Sequence, residues 1–201
     1  MILALLFACS QTDSADAGFD TSGDADETGA PASTLSPGDI LVNEVMFDPS
    51  LVDGDFGEWI EIRNLRDAAI DLEGVVVQDD DGAGFIIEGA LPVPAGGVVV
   101  LGPSDDTAAN GGVPVDYAYS VDAVKLGNEG DTVSLAAGGV ALDSFTWDAA
   151  VFPVVEGAAL QLSSSVSDPA GNDEVTVWCT ATATYGGGDF GTPGAANGVC
   201  G

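Results

Sequence analysis

The chain has 201 residues, enough for one domain with accessory segments; 46% are hydrophobic, only 7% aromatic and 28 are glycine, a mixture that favours short strands over long helices. Three basic residues, Arg63, Arg66 and Lys125, face 33 acids for a formal net charge of -30, which excludes duplex nucleic acid as a partner, because that affinity comes from Lys and Arg displacing counterions from phosphate. Histidine is absent, and with it the usual general base and commonest transition-metal ligand, so most hydrolase mechanisms lack a part.

Residues 2–8 form an apolar run. It is too short for a bilayer span, which needs about 20 residues, and reads as the core of an export signal. The run ends in Leu6-Phe7-Ala8-Cys9, which resembles the lipobox of bacterial lipoproteins: an aliphatic residue three places before the cysteine and a small one just before it. That resemblance implies residues 1–8 as a signal peptide, cleavage before Cys9, and lipid on its thiol. The expected location is therefore the cell envelope, facing periplasm or exterior, with the membrane as partner through the acylated N-terminus. No Lys or Arg precedes the apolar run, a departure from the basic start that signal segments carry.

Residues 9–37 carry acids, no base and one aromatic, Phe19. Such a segment cannot bury enough apolar surface to offset its ordering entropy, and like charges extend it; it reads as an acidic disordered tether. From 38 to 201 the texture changes to short β-branched runs punctuated by Gly, Pro and Asp, the pattern of a β-sandwich. Strands are predicted over 40–46, 58–64, 74–78, 85–88, 98–101, 115–120, 132–136, 141–147, 159–163 and 175–180. Ile60 and Ile62 alternate with Trp59, Glu61 and Arg63, whereas 98–101 is apolar throughout, which predicts a strand covered on both sides or near a sheet edge.

Four segments in order resemble the lamin tail domain, an immunoglobulin-like fold. They are Ile40-Leu41-Val42-Asn43-Glu44-Val45-Met46; Glu58-Trp59-Ile60-Glu61-Ile62-Arg63-Asn64 with Asp71-Leu72-Glu73-Gly74; Leu126-Gly127-Asn128-Glu129-Gly130-Asp131-Thr132-Val133-Ser134-Leu135; and Gly191-Thr192-Pro193-Gly194-Ala195-Ala196-Asn197. Val75–Val77 stand where the family usually has Trp, and Arg63 where Tyr is frequent. The resemblance implies an all-β immunoglobulin-like sandwich and a non-catalytic binding or structural module. Asn43, Glu44, Glu61 and Asn64 are polar positions in strand texture; if buried they must find partners, either as a network that specifies the fold or as a ligand site.

Cys179 and Cys200 are left to pair in an oxidising compartment, a bridge worth about 3 kcal/mol in the chain-entropy picture. Asp79-Asp80-Asp81-Gly82 with Glu88 reproduces half of an EF-hand loop, but Val77 occupies the first ligand position, so an acidic hairpin tip is expected there. In the loop between the first two strands Asp53, Asp55 and Glu58, joined by Asp79 and Asp81, form the candidate calcium ligands, against the plainer reading of solvated loop charge. No other cofactor is implied. Trp147 and Trp178 are expected to pack in the core or at its rim. The chain is thus expected to be no enzyme, but a module that meets a protein, polysaccharide or cation through acidic loops; a metal-assisted hydrolase using loop carboxylates, or a salt-adapted surface protein without a ligand, are the alternatives.

Overall fold

A computed structural model describes residues 35–201. The signal segment, Cys9 and the tether up to residue 34 lie outside the described residues. Every predicted strand region overlaps an observed strand. In chain order they are β1 (Ile40–Met46), helix α1 (Gly54–Gly57), β2 (Trp59–Asn64), β3 (Ile70–Asp71), β4 (Val75–Gln78), β5 (Gly84–Ile86), β6 (Pro92–Val93), β7 (Val98–Gly102), β8 (Tyr117–Ala118), β9 (Gly130–Ala137), β10 (Val140–Asp148), β11 (Leu160–Leu162), a 3-10 turn (Val175–Val177) and β12 (Trp178–Thr180). Two sheets form the immunoglobulin-like sandwich, a six-stranded one in the order β12-β11-β1-β2-β7-β8 and a four-stranded one in the order β10-β9-β4-β5, with β3-β6 as a small ribbon. All pairs are antiparallel except β7 with β8.

The core lies between the sheets, where Val45, Ile60, Ile62, Val99 and Leu101 share one cluster with Val77, Val133, Leu135, Phe145 and Trp147. Strand period fixes this: β9 alternates so that Val133, Leu135 and Ala137 are buried while Thr132, Ser134 and Ala136 are less so. Phe145 stacks on Trp178 with centroids 3.7 Å apart, so both Trp147 and Trp178 belong to the core.

The six-stranded sheet is covered on its other face as well. Met46, Trp59, Val100, Val113, Ala159 and Ala181 form a second buried cluster there. This explains the continuous apolar run of β7, whose Val99 and Leu101 enter the first cluster and Val100 the second. Leu35, three residues ahead of Gly38, already packs in the main core. A bulge in β1 between Val42 and Glu44 makes Asn43 the extra residue and sets Glu44 directly opposite Glu61 on β2.

Candidate functional site

Beyond β12 the chain returns across the outer face of the six-stranded sheet, and residues 191–197 lie over the Glu44–Glu61 pair. Thr192 donates its backbone N–H (2.9 Å) and its hydroxyl (2.6 Å) to the Glu44 carboxylate. The Gly194 N–H donates to Glu61 Oε2 at 2.7 Å, and Asn43 Nδ2 to Glu61 Oε1 at 2.6 Å. Asn197 completes the strap by donating from Nδ2 to the carbonyls of Asn43 and Leu162. Glu44 and Glu61 are fully buried. Burial pushes the Glu44 carboxyl up to about 7 despite its Thr192 bonds. Glu61 rises to about 8, chiefly through burial, then through repulsion from Glu44 and Asp116, against the bonds from Asn43 and Gly194 that pull it down.

Asn64 serves the backbone in the same way. Its Nδ2 donates to the carbonyls of Ala68, Val93 and Pro94, while Oδ1 accepts from Arg66 N–H. All four polar strand residues therefore hold segments together, the network reading of these positions, although Asn43 Oδ1 has no donor among the described residues. Asp143 does the same between the sheets. Its Oδ2 accepts from Val42 N–H (2.7 Å) and from Asn172 Nδ2 (2.9 Å), and burial lifts its carboxyl to about 7. Sequence reasoning missed Asp143. The available signal was an acid in step with the inward-facing Phe145 and Trp147.

The acidic loops gather at one end of the sandwich. Asp53 caps α1, accepting from Asp55 N–H, and Asp55 pairs with Lys125 at 2.9 Å. Glu58 turns inward to accept the Leu126 N–H at 2.9 Å, and its carboxyl is pushed up to about 7, mostly by burial, with Lys125 opposing and Asp55 and Asp131 adding to the rise. Asp48 accepts from Asn128 Nδ2 at 2.7 Å. Asp131 accepts from Gly127, Thr132 and Asp80 N–H groups, so the loop leading into β9 ties the Asp48–Glu58 loop to the Asp79–Asp81 turn. Repulsion from Asp131 is the main reason that the Asp80 carboxyl sits above its ordinary range. The Asp79–Asp81 turn is the expected hairpin tip between β4 and β5, closed by Asp79 N–H to the Ala83 carbonyl.

Asp53, Asp55, Glu58, Asp79 and Asp81 thus share an end of the molecule without converging. Among the described residues no group of three or more Asp, Glu, Cys or His side chains is close enough to hold a metal ion. Cys179 and Cys200 are joined in a disulfide that fixes the chain terminus to the edge strand β12.

A family model described as Lamin Tail Domain matches residues 33–149, more than half of the chain. The chain belongs to that family. Among curated proteins none matches it. The lamin tail match ends with β10, so β11, β12, the disulfide and the strap over Glu44 and Glu61 are built by residues beyond it. What the family supports is an immunoglobulin-like module, and it is not a family known for catalysis.

Proposed function

We propose that this lamin tail protein is a non-catalytic display module, held at the cell envelope by lipid on Cys9 and presenting its acidic end to a cationic partner. The carrying observation is that residues 125–131 hold Asp48, Asp55 and Asp80, whose sequence neighbours Asp53, Asp79 and Asp81 add to the charge, with Lys125 as the cation bonded among them. Uncompensated charge at one end of a rigid sandwich steers a basic partner and accelerates its encounter. A protein surface rich in Lys and Arg suits this end better than a calcium ion, because these carboxylates do not close into a ligand set. Supporting a role without chemistry, the buried carboxyls of Glu44, Glu61 and Asp143 and the half-buried one of Glu58 each accept hydrogen bonds from the fold itself.

Calorimetric titration of the full chain with a Lys-rich peptide and with Ca²⁺ tests the reading. Peptide binding that weakens with salt and is lost in an Asp55→Lys, Asp81→Lys double variant is the expected result. Peptide binding indifferent to that double variant, or no binding at low salt, contradicts it. Saturable Ca²⁺ binding lost in Asp53→Asn would reassign the end to the ion.

A further inference from the structure

Arg63 is the one basic residue of the chain without a carboxylate partner among the described residues: Arg66 pairs with Asp39 and Lys125 with Asp55. The Arg63 side chain is half-buried, and its Nη2 donates only to a neutral acceptor, the Val166 carbonyl. A partly desolvated cation outside any salt bridge is unusual in a chain with 33 acids.

Arg63 lies at a pocket of about 360 Å³ between the loop at Gly96 and Gly97 on one side and strap residues 194–197 on the other, with Asn43 and Ser164 also lining it. No acidic residue lines this pocket. Asn43 brings a second unmet need. It is buried, and its Oδ1 lacks a hydrogen-bond donor among the described residues.

We infer that this pocket binds the carboxylate of a sugar acid, with Arg63 taking the carboxylate and the surrounding amide, hydroxyl and backbone groups taking the sugar hydroxyls. Arg suits a carboxylate because its planar fork can donate two parallel bonds. The volume is at the small end for ligand pockets, which run from roughly 300 to 1,000 Å³, and fits one monosaccharide unit. The lining mixes small apolar residues with Asn43, Ser164 and Asn197, without an aromatic ring or a long aliphatic wall, so a bulky apolar acid finds little to bury against. Glu61, the acid nearest along β2, favours the Arg63 cation when ionised, but burial limits how far it is ionised at neutral pH. Burial, with repulsion from Glu44 and Asp116, raises its carboxyl to about 8 and keeps it largely protonated, although Asn43 and Gly194 bonds oppose the rise. The site is separate from the acidic end and stands or falls independently of it.

The test is titration of the isotope-labelled full chain with D-glucuronate, D-glucose and acetate, followed by backbone amide shifts. Glucuronate is expected to move the amides of Gly96, Gly97 and residues 194–197. Arg63→Gln removes the charge while keeping a polar amide, and weakens glucuronate binding about tenfold or more, the worth of one charge-assisted bond. Ala196→Asp, on the exposed part of the strap, sets an acid beside the pocket without touching Arg63 and weakens binding likewise, which keeps the test open if Arg63→Gln fails to fold. The proposal is overturned by glucose or acetate binding as tightly as glucuronate, by binding unchanged in both variants, or by no shift at millimolar glucuronate.

Discussion

Replacing Glu61 by Gln should stabilise the protein at alkaline pH and leave it nearly unchanged in acid. In the folded chain the carboxyl is raised from 4.5 to about 8, mainly because burial penalises the charged form. At 1.36 kcal/mol per pH unit, ionising it in place costs roughly 4 to 5 kcal/mol, an upper bound, since the strap can loosen instead. A raised carboxyl means that the native state holds a proton which the unfolded chain has released. The stability this contributes is full below about 4.5 and is lost as pH rises to about 8. Gln carries no charge to desolvate. Its carbonyl can accept the Gly194 N–H while its amide donates to Asn43 Oδ1 once that amide turns over, so both contacts of the present carboxyl are kept. Urea unfolding followed by the fluorescence of Trp59, Trp147 and Trp178 at pH 5 and pH 9 reads the difference directly. Self-repulsion among the many acids also weakens the wild type as pH rises, so the decisive quantity is wild type against variant at each pH. A variant that loses more stability at pH 9 than at pH 5 would refute the protonated pair under the strap.

Asp143→Ala leaves Val42 N–H and Asn172 Nδ2 without their acceptor in the core and should cost about 2 to 4 kcal/mol, read as a lower urea midpoint; Asp143→Asn should restore part of it. Cys200→Ser opens the 21-residue separation closed by the disulfide and should cost about 3 kcal/mol, with earlier protease cutting in residues 191–200. Gly186→Ala combines a positive φ of 49° with a Cβ 1.8 Å from the Gly111 carbonyl oxygen, so thermal unfolding should show a loss of roughly 2 kcal/mol or more. Cys9→Ala should move the chain from membrane to soluble fractions, and persistence with membranes would defeat the lipid anchor.

The strands were legible because burial on one face or both writes itself into local alternation, as in β2 and β7. The two-residue ribbon β3-β6 was not, since Ile70–Asp71 and Pro92–Val93 are too short to show a period. Val175–Val177, expected as strand, winds into a 3-10 turn before β12 begins at Trp178. Strand β8 is shorter than the predicted 115–120 because Asp116 bonds back to Val100 through both backbone and side chain, leaving Tyr117–Ala118 to pair. The sequence showed that Glu44 and Glu61 would need partners if buried. It could not show that Thr192 and Gly194 supply them, because those contacts span 148 and 133 residues. The acidic loops were each visible, but their shared end is a product of topology, made by the loop before β9 reaching both.

Carbodiimide crosslinking on intact cells, followed by mass spectrometry, tests the proposed role most directly, because the reagent joins a carboxylate only to an amine it already touches. Adducts concentrated at Asp53, Asp55 and residues 79–81 and carrying lysine peptides of another protein are the predicted result. Lysine adducts scattered evenly over the acids of the sandwich, or confined to the end away from those loops, would contradict it.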